Sequence, residues 1–402
     1  MPNSASLNPP LKWSIPAFVL FSLCALYFVM IQTLKSGALP HFLVIAKLTP
    51  LILKPTYNYL PFVDKALGPL VIFFITAFYE PSSLTFSVAA DFAWSLGSIS
   101  LWQAFEAGRI GSSAVQGILP SILMCIPLWD FVGRRVGWSA IMSFWLLLFL
   151  HAPAHARSAR IGRVKAEGIL FGWWIGHNIP FAAVFLAGLS STSVPLYLYA
   201  LAPFLTHYAS KGYIAFRRSR TDPRTLEQLE RQSNPESSVL RFAYLSAFIV
   251  SAVSRAHLVL IPAYKAAAAS PSITPLNFAY TLVAFFVPAH GLRQPPPGET
   301  TAQSGVLRFV QMNKAIGFSA VWIAILWELT LRRASAQLRN PKQSEPRGNK
   351  KLLADTKTII VWGLMGLILI SVFFGPGAAT ATILAYRESL LEKERLRLEK
   401  RA

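Results

Sequence analysis

Apolar runs of membrane-spanning length recur along almost the whole of this 402-residue chain, and no other feature limits its possible folds so strongly. A helix crosses the hydrocarbon core with about 20 apolar residues, and lipid offers no water to satisfy an open backbone. Ten runs are read as spans: Trp13–Leu34, Ala66–Tyr79, Leu84–Phe105, Ser113–Val132, Trp138–Ala154, Gly168–Leu189, Val194–Ala209, Val239–Ala263, Gln311–Leu331 and Thr358–Tyr386. Charged residues make up only 14% of the chain, where a soluble domain carries roughly 25%. The expected fold is an all-α polytopic transmembrane bundle of about ten spans, within a range of eight to eleven.

Charge orients the bundle. The chain holds 38 Lys and Arg against 18 Asp and Glu, and the excess sits in short connections: Lys35–Lys65, Arg157–Lys165 and Lys211–Arg241. By the positive-inside rule these face the cytosol, beside anionic lipid. The basic segment Arg332–Lys357 reaches that side only if Asn277–His290 does not cross, so that short run is read as re-entrant or interfacial. No basic soluble domain with interleaved aromatics is visible, which argues against a nucleic-acid partner. Membrane lipids are the expected surroundings.

The domain reading follows. Residues 1–386 form one transmembrane domain, with a basic cytosolic loop at 210–238 and another at 332–357. Residues 387–402, with Glu, Lys and Arg at helical spacing, read as a solvated helical tail continuing the last span. The first run is long for a signal segment and lacks a small-residue cleavage site, so it reads as a retained span. The endoplasmic reticulum is the expected compartment.

One span poses a chemical problem. "SLTFSVAADFAWSLGSISLWQAFEAGRIG" carries Asp91 inside it and ends on Glu106 and Arg109. A bare carboxylate in hydrocarbon costs several kcal/mol. At helical spacing Asp91 shares a stripe with Trp94, Ser95, Ser98, Trp102 and Phe105. Without water or a partner a carboxyl tends to keep its proton, so Asp91 reads as a buried acid or as a group satisfied by a neighbouring helix. Glu106 and Arg109, three apart, can pair across the helix end. Glu80, in "AFYEPSS", could point into the same space.

Other polar residues interrupt apolar runs. "GWWIGHNIP" sets His177 and Asn178 mid-span, with Trp173 one turn earlier and Gly172 and Gly176 open to close approach. Arg255 and His257 in "VSRAHLV" could bind an anionic or phenolic group, or pair with Glu80 or Glu106. Glu328 with Arg332, and Asp130 with Arg134 and Arg135, read as helix-end ion pairs.

The absences narrow the chemistry. Cys24 and Cys125 fall in apolar runs and suggest neither a disulfide framework nor zinc. There is no HExxH, Walker loop, GxGxxG or GxSxG motif. Asp64, Asp91, Asp130, Asp222 and Asp355 are too scattered to hold a magnesium diphosphate. No metal and no cofactor is expected.

The segment "FVDKALGPLVIFFITAFYEPSS", followed by the span ending "FEAGRIG", resembles the fungal membrane-integral terpene cyclases of meroterpenoid pathways, as in the ascochlorin–ascofuranone and macrophorin routes. Membrane proteins of indole-diterpene clusters share the look. The chain is far longer than the smaller seven-span members. The resemblance implies a prenylated phenol or its epoxide as substrate, with Glu106 and Arg109 at the active cavity. It also makes a prenyltransferase and an epoxidising monooxygenase plausible pathway partners.

Residues and resemblance meet on cyclisation begun by protonation. Asp91 or Glu106 is the expected acid. Trp94, Trp102 and Trp173 would line the path of the cation, an attraction worth about 2 kcal/mol when desolvated. Glu80 or His177 would assist by hydrogen bonding or deprotonation, and Arg109 and Asn178 would hold the substrate. The alternatives are an exporter of a hydrophobic metabolite, since buried charges also mark transport paths, and a noncatalytic membrane scaffold.

Overall fold

The computed structural model describes residues 14–31, 73–78, 80, 82–109, 137–152, 160–187, 201–231, 236–268, 275–286, 300–338 and 346–399. Every regular element among them is helical. In chain order these are α1 (Ser14–Ala25), α2 (Leu84–Gly108), α3 (Gly137–His151), α4 (Arg163–Trp173), α5 (Ala202–Arg220) and α6 (Pro223–Arg231). They continue with α7 (Ser237–Arg255), α8 (Pro275–Ala284), α9 (Thr301–Leu338), α10 (Pro346–Phe374) and α11 (Pro376–Glu399).

Four stretches are long and apolar enough to cross a membrane: Leu84–Gly108, Arg163–Phe185, Ser237–Ala268 and Thr301–Arg332. Ser14–Phe28, Trp138–His151 and Thr358–Phe374 are shorter apolar helices. Ten spans is therefore not what the described residues show. The expected span Ser113–Val132 and the Asp130, Arg134 and Arg135 group lie outside them. The segment read as re-entrant holds only the ten-residue helix α8 in its described part, about 15 Å long and half a bilayer core.

Helix α2 is the axis of the bundle, packed against α4, α7, α9 and α11. It begins on Ser83, whose hydroxyl accepts from the Phe86 N–H, as an N-cap side chain should. Around it Trp102, Trp145, Phe149, Phe318 and Leu384 belong to one buried apolar cluster. Ala90, Phe181, Val259 and Val306 belong to a second.

Glycine sets the tightest approach. Gly168, Gly172 and Gly176 recur every four residues along one face of α4, and α5 lies on that face. A Cβ on Gly172 would stand 2.3 Å from the Thr206 carbonyl oxygen, and one on Gly176 2.1 Å from the Thr206 nitrogen. In lipid, small residues drive association by letting backbones touch.

Two spans change pitch at proline. A π turn, Trp174–Asn178, lies between α4 and the helix Ile179–Ala187, and another, Ala256–Leu260, follows α7 before Ile261–Ala268. Pro180 and Pro262 come just after these turns. Proline lacks an N–H and crowds the carbonyl four residues back, and a wider turn relieves both.

The last expected span, Thr358–Tyr386, breaks at Gly375. That residue has φ 89°, a left-handed conformation glycine adopts freely, and Pro376 then starts α11 at the position proline favours. Chain reversal here sends α11 back along α2. The tail is accordingly not a solvated extension at its start, because Arg387, Glu388 and Leu391 are buried. The stretches read as basic loops are largely helical, lying in α5, α6 and the adjoining ends of α9 and α10.

Candidate functional site

Helix α2 carries two buried charge clusters, one near each end. Asp91 and Glu106 are four turns apart, about 22 Å along the axis. They do not share one cavity.

The first cluster centres on Asp91, which is fully buried. Its Oδ2 accepts a 2.9 Å hydrogen bond from Arg255 Nη1 of α7 and a second from Lys314 Nζ of α9. Arg255 Nε donates to the Val372 carbonyl at 3.1 Å. Its guanidinium lies 4.4 Å from the centre of the Phe286 ring, which Lys314 also approaches at 5.6 Å. One carboxylate thus faces two cations. Asp91 Oδ1 and Arg255 Nη2, both buried, have no hydrogen-bond partner among the described residues.

Aromatic and polar groups pack on other faces of α2. Trp94 packs on Phe181 at 4.7 Å and on Phe185 at 6.1 Å. Trp173 Nε1 donates to the Gly97 carbonyl at 2.8 Å, and His177 stacks beside that indole. The His177 ring hydrogen-bonds the backbone at Ala93 and fits because position 97 lacks a side chain, since a Cβ there would meet Nε2 at 2.9 Å. Asn178 Nδ2 donates to the Trp173 carbonyl at 3.2 Å. The π turn places His177 toward α2, and both His177 and Asn178 are buried.

The second cluster ties the other end together. Glu106 Oε1 accepts from Arg109 Nε at 2.9 Å and from Arg387 Nη1 at 2.8 Å. Arg387 also holds Glu328 at 2.6 Å and Glu388 at 2.8 Å. Arg109 Nη2 bonds Glu388, and Arg332 reaches Glu328 at 2.7 Å. Among the described residues Glu106, Glu328 and Glu388 meet Arg109, Arg332 and Arg387, and Arg332 also reaches Glu394 at 3.5 Å. Trp102 lies near this end, against Trp145 and Phe149, each at 5.0 Å.

The CtvD domain model matches residues 12–392 of the chain. The chain belongs to the CtvD family. This is a fungal terpene cyclase-like family, and the match runs through both clusters of the CtvD domain, from the α2 residues to Glu388. No curated protein and no solved structure matches the chain.

Within the CtvD domain the expected site residues separate into groups. Asp91 and Trp94 share one side of α2, whereas Trp173 and His177 pack at Gly97 and Ala93, about 120° or more around the helix from Asp91, and Asn178 bonds the Trp173 carbonyl. Glu106, Arg109 and Trp102 gather at the far end of α2. Glu80 joins neither, being exposed and holding the Ser82 hydroxyl at 3.1 Å. Arg255 does find a carboxylate, but it is Asp91 rather than Glu80 or Glu106. His257, two residues on, is exposed.

Lys314, Arg387 and Glu388 are the participants that sequence reasoning missed. The run containing Lys314 was read as starting at Gln311, which put the lysine at a span end. Helix α9 begins ten residues earlier, at Thr301, and carries Lys314 into the bundle. Arg387 and Glu388 follow the last apolar run and look like tail residues until the break at Gly375 folds α11 inward.

Proposed function

We propose that this protein is a membrane-embedded terpene cyclase that closes rings in a prenylated, farnesyl-type meroterpenoid or its terminal epoxide, with Asp91 as the proton donor. The observation that carries this reading is the asymmetry of that carboxyl. Oδ2 is held by two cations while Oδ1 is buried without a partner among the described residues.

The chemistry follows from that geometry. A proton loaded on Oδ1, against two cations that favour the ionised carboxyl, makes a strong acid and passes to the epoxide oxygen, or to a terminal alkene carbon. The adjacent C–O bond, or the π bond, then breaks and leaves positive charge on carbon. Double bonds further along the chain attack in turn, and a final C–H bond gives up its proton. Arg255 and Lys314 stabilise the carboxylate left at Asp91, and they are already in place when it forms. Trp94 and Trp173 are assigned as π faces for the migrating charge, and His177 is assigned as the acceptor of the last proton. No net proton is consumed, as an isomerisation requires.

Family membership supports the reaction class, and burial within an apolar bundle suits a lipid-soluble substrate. Glu106 is assigned a different task. Its Oε1 is held by two arginines in a network of ion pairs, a setting suited to fixing α2, α9 and α11 to one another rather than to donating a proton.

Purified protein in proteoliposomes, given a farnesylated phenol and its terminal epoxide, tests the function. The expected product has the mass of the substrate and a new ring by NMR. Accumulation of unchanged substrate across the bilayer would favour an exporter instead.

A further inference from the structure

We propose that a groove between α4, α5 and α7 binds an anionic phospholipid of the leaflet facing the Lys- and Arg-rich connections. The groove has a volume of about 410 Å³ and is lined by Glu167, Leu170, Phe171, Trp174, Tyr213, Ser238, Val239 and Phe242. It takes no part in the chemistry assigned to Asp91.

Its walls suit an acyl chain. Phe171 and Trp174 on α4 and its π turn, and Phe242 on α7, are all exposed, and in a membrane protein exposed apolar rings face lipid. Phe171 packs against Tyr213 at 5.1 Å, which holds α4 and α5 together along the groove.

Its head is charged. Glu167 accepts from Arg163 Nε at 3.0 Å and from the Tyr213 hydroxyl at 3.4 Å. Arg217 Nε stands 3.6 Å from Glu167 Oε2, beyond hydrogen-bond reach. That buried nitrogen has no hydrogen-bond partner among the described residues. Arg163 already holds Glu167, so among the described residues the Arg217 guanidinium is the group left incompletely matched at the mouth of an apolar groove. Arginine forks match phosphate oxygens, and a basic pocket between transmembrane helices on the cytosolic side is suited to acidic headgroups. Arg163 starts α4, Arg217 is in the last turn of α5 and Ser238 is at the start of α7. All three belong to the side that the sequence assigns to its basic connections. A zwitterionic lipid would bring its own cation to this mouth and gain less.

The test uses the full chain in nanodiscs of phosphatidylcholine with a minor fraction of phosphatidylinositol, followed by mass spectrometry of lipids retained after detergent exchange. The expected result is phosphatidylinositol enriched roughly tenfold over its bulk fraction, the order set by two arginines near one phosphate. Arg163→Gln with Arg217→Gln should abolish the enrichment while keeping the wild-type melting temperature in pure phosphatidylcholine. An equal charge loss outside the groove, Arg220→Gln with Arg224→Gln, should leave it intact. Retention in proportion to bulk composition by the wild type overturns the proposal. Enrichment that survives the groove variant does so too, as does equal loss in the control. Should the groove variant melt lower in phosphatidylcholine, Phe242→Ala at the exposed wall is the second probe; unchanged enrichment there overturns the acyl-chain placement.

Discussion

Arg255 Nη1 sits 2.9 Å from Asp91 Oδ2, with both side chains wholly buried. A lone aspartate in an apolar bundle would be destabilising. A pair is tolerated, but only while each partner remains. Lys314 adds a second cation to the same oxygen, so the cluster carries more positive charge than structural pairing needs. Arg255→Met is therefore expected to lower cyclisation by about 100-fold or more, the usual loss when one charge-stabilising donor is removed. Initial rates in membranes matched for protein content check this.

The second cluster predicts a stability phenotype. Arg387 alone contacts Glu106, Glu328 and Glu388. Arg387→Leu takes one cation from each of three buried carboxylates, leaving them only Arg109 and Arg332, and should cost about 3–5 kcal/mol, seen as a collapse of folded yield in detergent by size-exclusion fluorescence. Replacing Glu106 by Gln retains an acceptor and should cost less.

Close packing of α4 on α5 predicts a steric one. Gly176→Ala puts a methyl group 2.1 Å from the Thr206 nitrogen, so the helices must part, at about 1–3 kcal/mol. Gly366→Ala meets nothing within 4 Å and should be neutral or slightly stabilising, by less than about 1 kcal/mol. Melting temperatures of the two variants in one detergent give the comparison.

Glu80 offers a negative control. Exposed and bonded to Ser82, it should tolerate Glu80→Gln without change in rate. A loss of roughly tenfold or more, about 1.4 kcal/mol in the barrier, would return it to the catalytic residues.

How much of this was legible in the sequence depends on which force was at work. The helical class was, because hydropathy acts locally along the chain. The stripe of α2 was also readable, since Asp91, Trp94, Ser95 and Ser98 share a face by helical period alone. The partners of Asp91 were not, because pairing with Arg255 and Lys314 depends on how three helices cross. Lys314 was hidden by a boundary error, as hydropathy falls at Arg308 and Lys314 while the helix runs on through both. The turn at Gly375 was written in "FFGPGAA", and without it Arg387 looks like part of a soluble tail. Glu106 and Arg109 were correctly paired, but their spacing says nothing of the arginine from α11 that closes the network.

Single-turnover cyclisation by Asp91→Asn and Glu106→Gln, each at wild-type membrane abundance, separates the two carboxylates most directly. The expected outcome is product formation cut by at least ~1000-fold, the scale of a lost proton donor plus its electrostatic support, in the Asp91 variant alone. Glu106→Gln should remain within about tenfold of wild type, at most about 1.4 kcal/mol in the barrier. Full activity in Asp91→Asn, or loss in Glu106→Gln with the fold intact, would contradict the account.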